Sequence, residues 1–118
     1  MKLFCQLFIF ILLINISLFV PKSYAVNLAQ NICEYIAVDD KGRLRKLLKS
    51  KRLKLRAVFK DVSCDKSNIL VFAAKNNAIE VGELLIKKLP RSVVEKEIEN
   101  LSGLSAPLTE AAIARTKR

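Results

Sequence analysis

Cys33 and Cys64 are the two cysteines beyond the apolar N-terminal segment, and the chemistry open to them is narrow. They stand 31 positions apart with no second pair, which is not the spacing of a zinc site. In an oxidising compartment the two would join, closing a loop of about 30 residues and adding roughly 2–4 kcal/mol; the alternative is a pair of unbonded, buried thiols. Catalysis asks for more than the chain offers. Histidine, the commonest general base and a frequent metal ligand, is absent altogether. Three glycines, Gly42, Gly82 and Gly103, form no phosphate-binding loop. The paired carboxylates Asp39 and Asp40 precede Gly42 and read as turn residues. No catalytic, cofactor-binding or metal-ligating constellation emerges, and the expectation is a protein that binds without catalysing.

The remaining chemistry is charge. Between Lys41 and Lys60 there are ten basic residues and no acidic one. Such a block makes a strong positive potential that attracts acidic protein faces, anionic lipid or nucleic acid alike, unless it only solvates a helix face. The residues expected to meet a partner are Arg43, Arg45, Lys46, Lys49, Arg52, Lys54 and Arg56. An acidic protein or an anionic component of the cell envelope is the expected partner, with a membrane surface as the alternative. Nucleic acid is disfavoured, because Tyr35, Phe59 and Phe72 are expected to fill a small core rather than stack on bases.

These residues follow a segment of different character. Met1-Lys2, an apolar run from Leu7 to Val20 and small residues at Ser23 and Ala25 have the build of a secretory signal peptide. Cleavage after Ala25 is expected, so that residues 1–25 are the signal and residues 26–118 one small domain, exported to the periplasm or secreted; the alternative is an uncleaved anchor. Cys5 precedes the apolar run and is wrongly placed for lipid attachment. Removal of Lys2 and Lys22 leaves 19 basic against 11 acidic residues, a net charge of +8.

The elements that hold the cysteines and the cations come from an internal repeat. Asn31–Ser50 lies over Asn68–Lys87 at an offset of 37 without a gap, pairing Ile32 with Ile69, Tyr35 with Phe72, Leu44 with Val81 and Leu47-Leu48 with Leu84-Leu85. A third, partial copy sets Ala106–Ala112 over Asn68–Ala74 at an offset of 38. Each copy reads as two short helices with apolar stripes at helical spacing. Asn27 is the expected start of the first helix, Asn77 a left-handed helix end, Pro90 a stop, and Glu95–Glu99 a charged helical face. The stretch "KRLKLRAVFKDV" fits both a strand and a helix; a helical turn is favoured, since an isolated strand would lack a partner. The fold class expected is all-α, a stack of helical hairpins in which Cys33 and Cys64 bridge two layers. The Asn100-Leu-Ser102 sequon is the sort of triplet that chance supplies.

"NILVFAAKNNAIEVGELLIKK" resembles the ankyrin repeat through Leu70, Ala73, Ala74, Asn77, Val81, Leu84 and Leu85, and "SAPLTEAA" resembles another opening through Pro107, Leu108, Ala111 and Ala112. The resemblance implies a short ankyrin-like stack of two hairpins and a partial third, over roughly residues 28–112. It departs from the family in lacking histidine, in carrying Asn77 where Gly is usual, and in its longer spacing. A second and more specific resemblance is to a family of small exported bacterial domains of unknown function, in which a basic leucine-rich stretch runs into a C-x-x-x-x-x-L-x-F-A segment, here Cys64, Leu70, Phe72 and Ala73. That resemblance implies export and brings no activity with it.

Overall fold

Helix α1 (Val20–Ala37) opens the computed structural model, which describes residues 20–117, with side chains from Asn27 to Lys117. The apolar run from Leu7 lies outside the described residues up to Phe19, and the α1 backbone continues through the expected cut after Ala25. Asn27 therefore sits within the helix in this chain instead of capping it. Among the described residues no helix is long and apolar enough to cross a membrane.

Ile32 and Ile36, one helical turn apart, bury the working face of α1. The helix ends in a Schellman arrangement. Asp40 N–H donates to Tyr35 O (2.8 Å), Asp39 N–H donates to Ile36 O (3.0 Å), and Asp39 itself takes the left-handed φ of 56°. Asp40 then caps α2 (Lys41–Ser50), its carboxylate accepting from Arg43 N–H at 3.1 Å. The same ending closes α4 (Ile69–Lys75). There Ala78 N–H donates to Ala73 O (2.8 Å) and Asn77, at φ 55°, donates to Ala74 O (3.2 Å), before α5 (Ile79–Lys88) begins.

These turns fix the register of the repeat. Asp39 corresponds to Asn77 and Asp40 to Ala78, an offset of 38 where alignment of the strings suggests 37. Ile32 then falls with Leu70 and Ile36 with Ala74, all four buried, while Tyr35 falls with Ala73 and not with Phe72. Tyr35, Phe59 and Phe72 are each half-buried against the core, as expected of packing residues.

Between the two helix pairs the chain forms α3 (Leu55–Asp61), so the helical reading of the ambiguous stretch holds for those residues. A two-residue antiparallel hairpin follows, β1 (Ser63–Cys64) and β2 (Ser67–Asn68), with Ser63 opposite Asn68 and Cys64 opposite Ser67. Asp65 and Lys66 at its tip both have positive φ, 51° and 64°, the signature of a type I′ turn. Asn68 closes the hairpin and starts α4, its Oδ1 accepting from Val71 N–H at 2.8 Å.

Leu89 ends α5, and Pro90 leads into α6 (Arg91–Ser102), which turns through Gly103 and Leu104 into α7 (Ala106–Thr116) with Ser105 as cap. Helix α4 packs on α1 and on α6, while α5 packs on α2 and on α7, so three helix pairs lie in succession. The third is a complete pair, and Ala106–Ala112 forms its second helix, not the first as the sequence match suggests. Close approach explains the small residues. An added Cβ on Gly82 would stand 2.5 Å from the Leu108 methyls, and Ala73, Ala74, Ala78 and Ala112 are all buried. The all-helical class read from the sequence is the class found, with the small hairpin as its β-structure among the described residues.

Two ties join the first pair to later elements, one to the connector and one to the second pair. Cys33 on α1 and Cys64 on β1 form the expected disulfide, with Cα atoms 5.6 Å apart. Less expected, the Asp39 carboxylate accepts from Val81 N–H (2.8 Å) and Glu80 N–H (3.4 Å) in the first turn of α5. Helix α5 begins at Ala78, whose side chain cannot cap, and a residue of the neighbouring pair does so in its place.

A candidate binding cleft rimmed by cations

The basic block does not fold into one uniform face. On α2, Gly42, Arg45, Lys46 and Lys49 follow helical spacing and share one side, where they line an open cleft of about 780 Å³. Leu44 turns the other way, into the core. Beyond α2 the chain reverses through Arg52, which takes the left-handed φ of 53° while Leu53 N–H donates to Leu48 O at 2.9 Å. This third Schellman ending brings residues 53–56 back across the cleft, with Leu53 and Leu55 half-buried and Lys54 and Arg56 exposed. Leu84, Lys88 and Pro90 supply the opposite wall from α5 and its end.

The result is an apolar floor of Leu48, Leu53, Leu55, Leu84 and Pro90 under a rim of six cations, Arg45, Lys46, Lys49, Lys54, Arg56 and Lys88. No acidic side chain lines it. Its volume lies in the range of small-molecule sites, roughly 300–1,000 Å³.

Of the seven cations expected to meet a partner, five are brought together here and two are not. Arg43 pairs with Asp40 at 3.3 Å and Arg52 is placed in the chain reversal, both outside the cleft lining. Lys88 and Leu84 escape the sequence reading because α5 lies some 40 residues further along the chain, and Leu48, Leu53 and Leu55 because only the chain reversal at Arg52 brings them together beneath the cations. The one sequence cue to Lys88 is its place in the last turn of a helix stopped by Pro90. Among the described residues no cluster of three or more His, Cys, Asp or Glu could hold a metal ion.

The family model described as protein of unknown function (DUF3718) matches residues 32–96, more than half of the chain. The chain belongs to this family. The DUF3718 match takes in both disulfide cysteines, the Asp39 cap and every residue lining the cleft. No curated protein matches the chain, and no solved structure does.

Proposed function

We propose that this chain is an exported, non-enzymatic binding protein that holds an anionic partner through its cation-rimmed cleft. The single observation behind this reading is the lining itself, where six basic side chains surround an apolar floor without one carboxylate to neutralise them. Like charges crowded around one concavity repel each other, and an anionic guest relieves that repulsion. The disulfide supports the exported part of the reading, since such bonds persist in oxidising compartments. The succession of helix pairs supports a short ankyrin-like stack, an architecture whose repeats build open binding surfaces.

The test uses two variants of equal charge. Replacing Lys46, Lys49, Lys54 and Arg56 by Gln empties the rim of four charges, whereas replacing Lys41, Arg43, Arg52 and Lys60 removes four from outside the cleft. Retention on an anionic matrix should fall well below wild type for the first variant and by much less for the second, with far-UV circular dichroism unchanged in both. Equal retention of the two variants would remove the cleft from the account and leave only bulk charge.

A further inference from the structure

Given that the cleft is a binding site, as proposed above, its walls limit the class of guest. Every polar side chain in the lining, from Arg45 to Lys88, ends in hydrogen-bond donors and has no acceptor. An acidic peptide in extended form brings backbone N–H groups of its own, and these find no side-chain acceptor among the lining residues. A phosphate or carboxylate brings acceptors only, which suits a rim of donors and gives short, charge-assisted bonds. An inorganic ion, however, leaves five apolar residues beneath the rim unused. Leu84 is 8% exposed and Leu48, Leu53 and Leu55 are half-buried while all six cations are exposed, so a flat bilayer would meet the cations before the leucines. A hydrocarbon chain has to come to it.

We propose that the cleft between α2, α3 and α5 binds a single molecule of an anionic amphiphile with one acyl chain, its head held by the cationic rim and its chain laid along Leu48, Leu53, Leu55 and Leu84. Lys49 and Arg56, from the two segments that meet across the floor, are the head-group residues.

Dodecyl phosphate, kept below its micelle-forming concentration, is the probe. Titrated into the ¹⁵N-labelled full chain, it should produce saturable amide shifts at Lys49, Leu53, Leu55 and Leu84. Inorganic phosphate and the uncharged dodecyl maltoside should each bind at least about ten-fold more weakly, since each offers half of the complementarity. The Lys49→Gln/Arg56→Gln variant should lose about ten-fold or more in affinity while its spectrum stays dispersed, and Lys41→Gln/Lys60→Gln should lose nothing. Phosphate binding as tightly as dodecyl phosphate would overturn the proposal in favour of an ion site, and equal binding of the maltoside would reduce the cleft to an apolar patch. Absence of cleft shifts, together with co-sedimentation on anionic vesicles, would also overturn it. In that case the rim charges face a membrane surface, and the matrix experiment above would still separate the two charge variants. If that separation fails as well, the binding reading falls with the ligand class.

Discussion

Removal of the Cys33–Cys64 bond should destabilise the chain strongly, and the size of the loss can be worked out. The two cysteines lie 31 residues apart, and closing a loop of that length takes about 3.7 kcal/mol of conformational freedom from the unfolded chain. A domain with fewer than 100 described residues has a total stability of roughly 5–15 kcal/mol, so the bond accounts for a quarter or more of it. Each kcal/mol shifts the midpoint by roughly 4–8 °C in a domain of this size, which predicts a loss of about 15–30 °C. Cys33→Ala/Cys64→Ala is the cleaner perturbation, because Cys64 is 2% exposed and a serine there would bury a hydroxyl. Thermal unfolding followed by far-UV circular dichroism, with and without reductant, measures the effect. A midpoint within about 5 °C of the oxidised protein would refute the loop argument. Thiol titration of unfolded, unreduced protein comprising residues 26–118 provides an independent check: no free thiol is expected, and two would show that the bond does not form.

Asp39→Ala should cost about 1–2 kcal/mol in chemical denaturation for the lost cap and about 1 kcal/mol more for alanine at the left-handed φ of 56°, whereas Asp39→Asn should keep most of that stability because asparagine accepts both the φ and the Val81 N–H. If the alanine variant unfolds at the wild-type midpoint, the bond across the two helix pairs carries no weight. Gly82→Ala should destabilise by about 1–3 kcal/mol through overpacking against Leu108, and Leu108→Val in the same chain should recover part of the loss. Additive losses in that double variant would place the cost in α5 itself and not at its crossing with α7.

Much of this architecture could be read from local pattern. The helix pairs, the left-handed Asn77, the stop at Pro90 and the pairing of two lone cysteines each depend on residues close together or on simple counting. The register error of one residue has a local cause too. Alignment rewards Asn31 over Asn68 and Ile32 over Ile69, and in a run such as Ile-Leu-Val-Phe-Ala-Ala a slip of one still pairs apolar with apolar. Only the hydrogen bonds of the helix ends reveal that Asp39, and not Asp40, is the partner of Asn77. Ala106–Ala112 matches a first helix in the string because Pro107, Leu108, Ala111 and Ala112 imitate such an opening. Which helix of the pair it becomes is set by tertiary contact with α5 and α6, which string similarity does not encode. The sequence marks a polar turn at Asp65 and Lys66 after Cys64 but does not reveal its type I′ form. Neither residue favours positive φ as Asn-Gly does, and the hairpin is held by its place beside the disulfide.

The cleft shows how these features combine. Its walls come from both of the first two helix pairs and from the connector between them, so no single segment can hold its shape. Two ties join the first pair to the rest, the disulfide from α1 to β1 and the Asp39 carboxylate from the α1 turn to α5. Neither is part of the cleft lining, and the Asp39 bond joins the turn before α2 directly to the first turn of α5. The six rim cations work against that arrangement, since bringing like charges together costs energy that a basic chain cannot offset from within the lining. A protein that only needed solubility could spread those charges along an exposed helix. Here the chain reversal at Arg52, adopted at the expense of a left-handed non-glycine residue, returns Lys54 and Arg56 to the side already occupied by Arg45, Lys46 and Lys49. On the proposed reading an anion placed where the two segments meet relieves the repulsion on the rim, while the left-handed Arg52 is the cost of the chain reversal that brings them together.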